Sequence, residues 1–292
     1  MELRNIEAII KPGTPHFVGD GFRVYNFIPK AGQLSMQRMD PFIMMDYHGD
    51  FYFPPSAKPK GVGAHPHRGF ETVTIVYKGK LAHHDSSGNS GVIGEGDIQW
   101  MTAASGILHQ EYHEQEFSKT GGNVHMVQLW VNLPARDKKS KPKYQDISKD
   151  TVGKYTLPEQ NGTIEVIAGS YMNVKGPAFT FTPIHLLHAK LHKGGIAVFD
   201  FPAYFNTGLL VIEGNIRIND NRIAATNEFV LLENKGTTFT VEANEKAIIL
   251  VFSGEPINEP IVSQGPFVMN THEELNDAFM DYNMGRFGFM DE

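Results

Sequence analysis

Residues 63–80, GAHPHRGFETVTIVYKGK, set His65 and His67 one residue apart at the head of an apolar, β-branched run that ends on Gly79. In an extended chain residues i and i+2 face the same side, and Pro66 favours an extended predecessor, so both imidazoles project together. His109 and Glu111, in GILHQEYHE, repeat this spacing further along the chain. Two such strands meeting across a small barrel would point three imidazoles and one carboxylate into its interior. A single buried histidine reads as hydrogen-bonded core, but two same-face pairs together read as a metal site. Three nitrogens and one oxygen suit Fe, Mn, Ni, Cu or Zn, and around an octahedral ion they leave two positions for water, substrate or dioxygen.

The remaining histidines read differently. His83 and His84 precede the turn DSSGNSG and are expected at the surface or bonded to the turn. His113 and His125 are candidates for fixing a ligand's tautomer, or for ordinary burial. His185, His188 and His192, in HLLHAKLHKGG, would share a face only on a helix, whereas their neighbours favour a strand; a structural role is expected. Phe42, Met44, Met45, Trp100, Met101 and Trp130 read as core, with Phe42, Met44 and Trp100 also available as apolar walls for an aromatic ligand.

The elements that must position these residues are short strands punctuated by Gly, Asn, Asp and Pro, an all-β pattern. One segment is helical by its signals: in THEELNDAFMDYNMG, Thr271 can cap the N-terminus, Glu274 sits three residues on, and Gly285 can end the helix. FETVTIVYKGKLAHHD (70–85) and FNTGLLVIEGNIRIND (205–220) superpose without a gap, aligning Gly79 with Gly214 and Asp85 with Asp220. GDIQWM likewise parallels NEFVLL. An internal duplication, hence two similar barrels, is implied. In the second copy His65 falls on Asp200 and His67 on Pro202, and the counterpart of the His109 strand has no histidine, so that barrel is expected to hold no metal. The basic stretch Arg136 to Lys143, RDKKSKPK, reads as a solvated joint between domains at 1–134 and 145–292.

Composition narrows the function. The 292 residues include no cysteine, which removes disulfides, thiolate nucleophiles and iron–sulfur clusters together. A net charge of −7 opposes direct nucleic-acid binding. No apolar run approaches the ~18 residues that cross a bilayer, and the first residues lack the apolar core of a secretory signal, so a cytoplasmic, monomeric chain is expected.

HPHRGFETVT, GDIQWMTAASGILHQE, VQLWVNL and GPFVMNT, with MDPFIMMDYH near the N-terminus, closely resemble the pirin family of the cupin superfamily over roughly residues 15 to 290. The resemblance implies two cupin barrels (double-stranded β-helix, jelly-roll) packed face to face, with a short C-terminal helix. It also implies one metal, usually iron and here Fe(II), in the N-terminal barrel, on His65, His67, His109 and Glu111. Many metal barrels of this type carry a glutamate at the strand position taken here by Thr72, so Glu71, one residue earlier, should point the other way. Two activities are implied. One is a quercetin 2,3-dioxygenase reaction on a flavonol or similar enolisable aromatic, with Glu111 as base. The other is an iron-dependent redox-sensing regulator that binds a transcription factor or metabolic enzyme.

Overall fold

The computed structural model describes residues 2–219 and 222–290; Asp220, the partner of Asp85 in the repeat, lies outside them. Two barrels face each other, each made of a seven-stranded sheet against a four-stranded one. In the first barrel the large sheet is ordered Lys143–Ile147, Ile98–Thr102, Phe70–Lys78, Gly122–Asn132, Phe42–Phe53, Phe22–Ile28, His16–Val18. Its small sheet is Gly61–His67, Ile107–His113, Leu81–Asp85, Ser90–Ile93. The second barrel repeats the plan, with Asn206–Glu213 and Asn215–Ile218 standing where Phe70–Lys78 and Leu81–Asp85 stand in the first. Gly79 and Gly214 turn the two matching hairpins at φ 92° and 88°, a region that a side chain disfavours.

The strand Phe70–Lys78 shows why these segments are apolar almost throughout: both of its faces are covered. Thr72, Thr74 and Val76 look into the first barrel, while Val73 and Ile75 join Leu210, Phe229, Leu250 and Phe252 in an apolar layer between the barrels. Phe42 and Phe252 meet edge to face across that layer at 4.9 Å. The predicted helix forms as His272–Asn283, with Thr271 and Glu274 in a reciprocal capping box. Among the described residues no helix is long and apolar enough to cross a membrane.

The two barrels exchange segments across the boundaries drawn from sequence. Ile6–Ile10 pairs with Phe229–Leu232 in the second barrel, and Lys143–Ile147 pairs with Ile98–Thr102 in the first. The basic joint is also not uniformly solvated. Lys138 is 1% exposed, and its Nζ donates to the carbonyls of Gly69 (2.7 Å) and Val268 (3.0 Å) and to Asn132 Oδ1 (2.6 Å). Three acceptors offset the desolvation of a buried amine, which is why a lysine tolerates this place. Composition alone does not disclose it.

The pleat turns Glu71 to the face it shares with Val73 and Ile75, opposite the barrel interior, as expected. There Thr102 Oγ1 donates to its Oε1 at 2.6 Å, and burial pushes its carboxyl up from 4.5 to about 7. Between those values the native chain keeps a proton that the unfolded chain gives up, so Glu71's contribution to stability is full below pH 4.5 and lost as pH rises through about 7. Urea melts of Glu71→Gln should therefore show a gain over wild type at pH 8 relative to pH 4.5, of roughly 1–3 kcal/mol. An equal difference at both pH values would contradict this.

Candidate metal centre

Gly61–His67 runs antiparallel to Ile107–His113, with His67 opposite Ile107 and His65 opposite His109. Buried and half-buried residues alternate along Ile107–His113 and turn His109 and Glu111 inward, so the strand carries its ligand candidates on the buried face. Three of the four predicted residues converge: a nitrogen from each of His65, His67 and His109 lies within 4.8 Å of the others. The His65 Nδ1–H donates to the Gly63 carbonyl at 2.8 Å, which leaves the Nε2 lone pair free. His67 Nδ1 and both nitrogens of His109 are buried without a hydrogen-bond partner. Buried polar atoms are ordinarily satisfied, so this set of orphans fits a bound cation that the histidines themselves would satisfy. Burial, together with the neighbouring imidazoles, holds His67 and His109 well below the usual histidine range, hence neutral and able to ligate. The donor set suits a divalent metal.

Glu111 stands in the same pocket but outside that tight group. A register shift separates it from His109, placing it opposite Val62 and His83. Its carboxylate accepts from Gln128 Nε2 at 3.1 and 3.0 Å and from Thr74 Oγ1 at 3.4 Å.

The pocket in front of the histidines encloses about 390 Å³. Its walls are Phe22, Val24, Met44, Met126 and Trp130, and Gly265 and Pro266 of the C-terminal hairpin close one side. Met44 is where the sequence reading put it, but Phe42 and Trp100 are not walls. An irregularity opposite Val131 separates Phe42 from Met44 in the pleat, and Trp100 shares a face with Ile98; both rings lie in the layer between the barrels. Trp130, read from sequence only as core, stacks on Phe70 at 4.1 Å and sits 5.1 Å from the His67 ring. Asp46 also lines the pocket, held by Asn26 Nδ2 at 2.9 Å, and burial pushes its carboxyl up. Its place in the alternation Met44, Asp46, His48 was the signal that could have found it.

His83 corrects another expectation. It is 4% exposed, not at the surface, because the strand Leu81–Asp85 begins before the turn and carries Leu81, His83 and Asp85 inward. It stacks on Tyr144 at 5.2 Å, while His84 is half-buried. His113 Nε2 bonds the Gly21 carbonyl, and His125 bonds Tyr47; these bonds do not involve the ligand histidines. His185, His188 and His192 sit on or just beyond the strand Ile184–Leu191, each with a hydrogen-bond partner of its own. In the second barrel the corresponding small sheet packs Phe199 against Phe239 at 5.1 Å, filling the interior with rings.

Residues 21–131 match the family model described as Pirin, and residues 186–288 match the model described as Pirin C-terminal cupin domain. A crystal structure of quercetin 2,3-dioxygenase from Acinetobacter baumannii superposes with a TM-score of 0.93 at 42% identity, covering 98% of this chain and 99% of that one. A Pseudomonas aeruginosa protein carrying a provisional quercetin 2,3-dioxygenase name is 43% identical over 98% of this chain and 99% of its own length. Human Pirin is 34% identical over 93% of this chain and 90% of its own.

Elemental analysis of the purified protein should find about one metal per chain, since the histidine cluster occurs once among the described residues. His65→Ala should lose most of that metal while keeping its strand signal, because the barrels have apolar cores apart from the site. A stoichiometry near two, or a mutant unfolded with and without metal, would contradict this.

Proposed function

The chain belongs to the pirin family, and from that premise we propose that it is a metal-dependent dioxygenase of the quercetin 2,3-dioxygenase type. It opens the ring of a flavonol, or of a similar enolisable aromatic, with dioxygen and releases carbon monoxide. The observation that carries this reading is the join of three clustered histidines, with the Glu111 carboxylate beside them, to a pocket walled mainly by apolar and aromatic side chains. The resemblance to enzymes named for this reaction supports the substrate class.

His65, His67 and His109 would hold the divalent ion, iron(II) in this reading, with Glu111 as the fourth ligand that the spacing selects. When bound, the ion supplies Lewis acidity and electron exchange with dioxygen. The chain's own part is binding and proton movement. Trp130, Met44 and Val24 exclude water and hold the flat substrate. Glu111 takes the proton of the enol hydroxyl onto a carboxylate oxygen, leaving an electron-rich enolate. Gln128 keeps that carboxylate aimed into the pocket by donating to both of its oxygens.

Oxygen uptake and carbon monoxide release with quercetin, by anaerobically purified and metal-loaded protein, test the reaction. Glu111→Gln keeps size and an oxygen but cannot accept the proton. Its turnover should fall by ~10²- to 10⁴-fold, with quercetin still quenching Trp130 fluorescence. Near-wild-type turnover in a fully metallated Glu111→Gln protein would end the base assignment. Spectral redox change without oxygen uptake in the wild type would favour the regulatory reading instead.

A further inference from the structure

Between the two large sheets, at one end of the apolar layer, lies a second cavity of about 430 Å³ that the proposed reaction does not use. Both barrels build it. Tyr25, Tyr47, Tyr77 and His125 come from the first, and His188 and Asn227 from the second. Two hydrogen-bonded chains cross it. In one, the Tyr47 hydroxyl donates to Asn227 Oδ1 at 2.7 Å and meets His125 Nε2 at 2.9 Å. In the other, the Tyr77 hydroxyl meets His188 Nε2 at 2.9 Å, and His188 Nδ1 faces Glu165 at 3.5 Å.

The charges of the lining select the ligand. Lys78 is paired with Asp50 at 2.6 Å, Lys190 with Glu165 at 2.8 Å, and Lys246 with Glu213 at 3.8 Å. Arg23 and Glu95 are the remaining charged residues, one of each sign. Burial holds both imidazoles neutral, His125 at about 4. With Arg23, Lys78, Lys190 and Lys246 balanced by Asp50, Glu95, Glu165 and Glu213, the lining carries no net charge and favours neither a free anion nor a free cation. A wholly apolar molecule would strip water from the charged and polar side chains of the lining with nothing to replace it. What remains is a neutral molecule rich in hydroxyls, each both donor and acceptor, whose ring can lie against the half-buried Tyr25 and Tyr77. The volume falls at the small end of the ~300–1,000 Å³ typical of ligand pockets.

We infer that this cavity is a second binding site, taking a neutral polyhydroxylated ring of mono- or disaccharide size. The ligand bridges the barrels, and its binding does not depend on the reaction proposed for the metal pocket.

The test is calorimetric titration of the metal-loaded, full-length protein with D-glucose, D-galactose, maltose and lactose, and with inorganic phosphate as an anion. At least one of the four sugars should bind with a dissociation constant of roughly 1 mM or tighter. Thr226→Trp, on an exposed turn at the rim, should abolish that binding by filling the entrance. Tyr77→Phe should weaken it about tenfold through loss of one hydroxyl. His65→Ala should leave it unchanged. Circular dichroism checks that the variants fold, and the surface substitution carries the test if Tyr77→Phe does not. The inference is overturned if none of the four sugars binds, if binding persists in Thr226→Trp, or if phosphate binds there in preference.

Discussion

Everything at the metal centre depends on one register, the antiparallel pairing that sets His109 opposite His65. A strand's side chains alternate between its faces, so a slip by one residue would turn His109 and Glu111 out of the barrel together and leave His65 and His67 without a third nitrogen. The register is held on both sides. Ile107–His113 pairs on its other edge with Leu81–Asp85, and the apolar Val62 and Leu81 lie on the inward face beside the polar ligands. His67 Nδ1 and both His109 nitrogens are buried without hydrogen-bond partners, and His65 is tied only to the Gly63 carbonyl, so the fold keeps the cluster in place chiefly through backbone pairing, and a cation would be the completing partner.

The second barrel bears on this site indirectly. Its large sheet covers the outer face of the strands that floor the first barrel, which lets Val73, Ile75 and Leu129 be apolar on that side while Thr74 and Gln128 serve Glu111 on the other. The C-terminal hairpin then returns to the first barrel's mouth, where Pro266 closes the pocket and the backbones of Arg68 and Phe267 form an isolated bridge. A buried lysine, Lys138, ties the Gly69 and Val268 carbonyls together just behind the ligand strand. One copy of the repeated fold thus carries the histidine cluster, and the other a supporting face filled with phenyl rings.

Much of this was legible in the residues. The same-face histidine pairs need only the period of an extended chain, the repeat is visible in the spacing about Gly79 and Gly214, and the C-terminal helix announces itself through Thr271 and Glu274. What escaped has physical reasons. Phe42 and Trp100 read as core and are core, but their second reading as pocket walls fails, because a pleat irregularity cannot be counted from sequence and an all-apolar strand does not say which face looks inward. His83 reads as a surface or turn-bonded residue because its strand runs closer to the turn than the polar residues suggest. Lys138 reads as solvated because two of the three acceptors that bury it, the Gly69 and Val268 carbonyls, come from segments distant in the chain. The bonds from Gln128 to the Glu111 carboxylate are likewise a contact that spacing does not encode.

X-ray absorption at the metal edge of the loaded protein, recorded with and without quercetin, tests the central claim most directly. The account predicts a shell of nitrogen and oxygen showing the outer scattering of three imidazoles, from His65, His67 and His109, and a change in that shell when the flavonol enters the pocket. A shell without imidazole scattering, or one that quercetin at saturating concentration leaves unaltered, would contradict it.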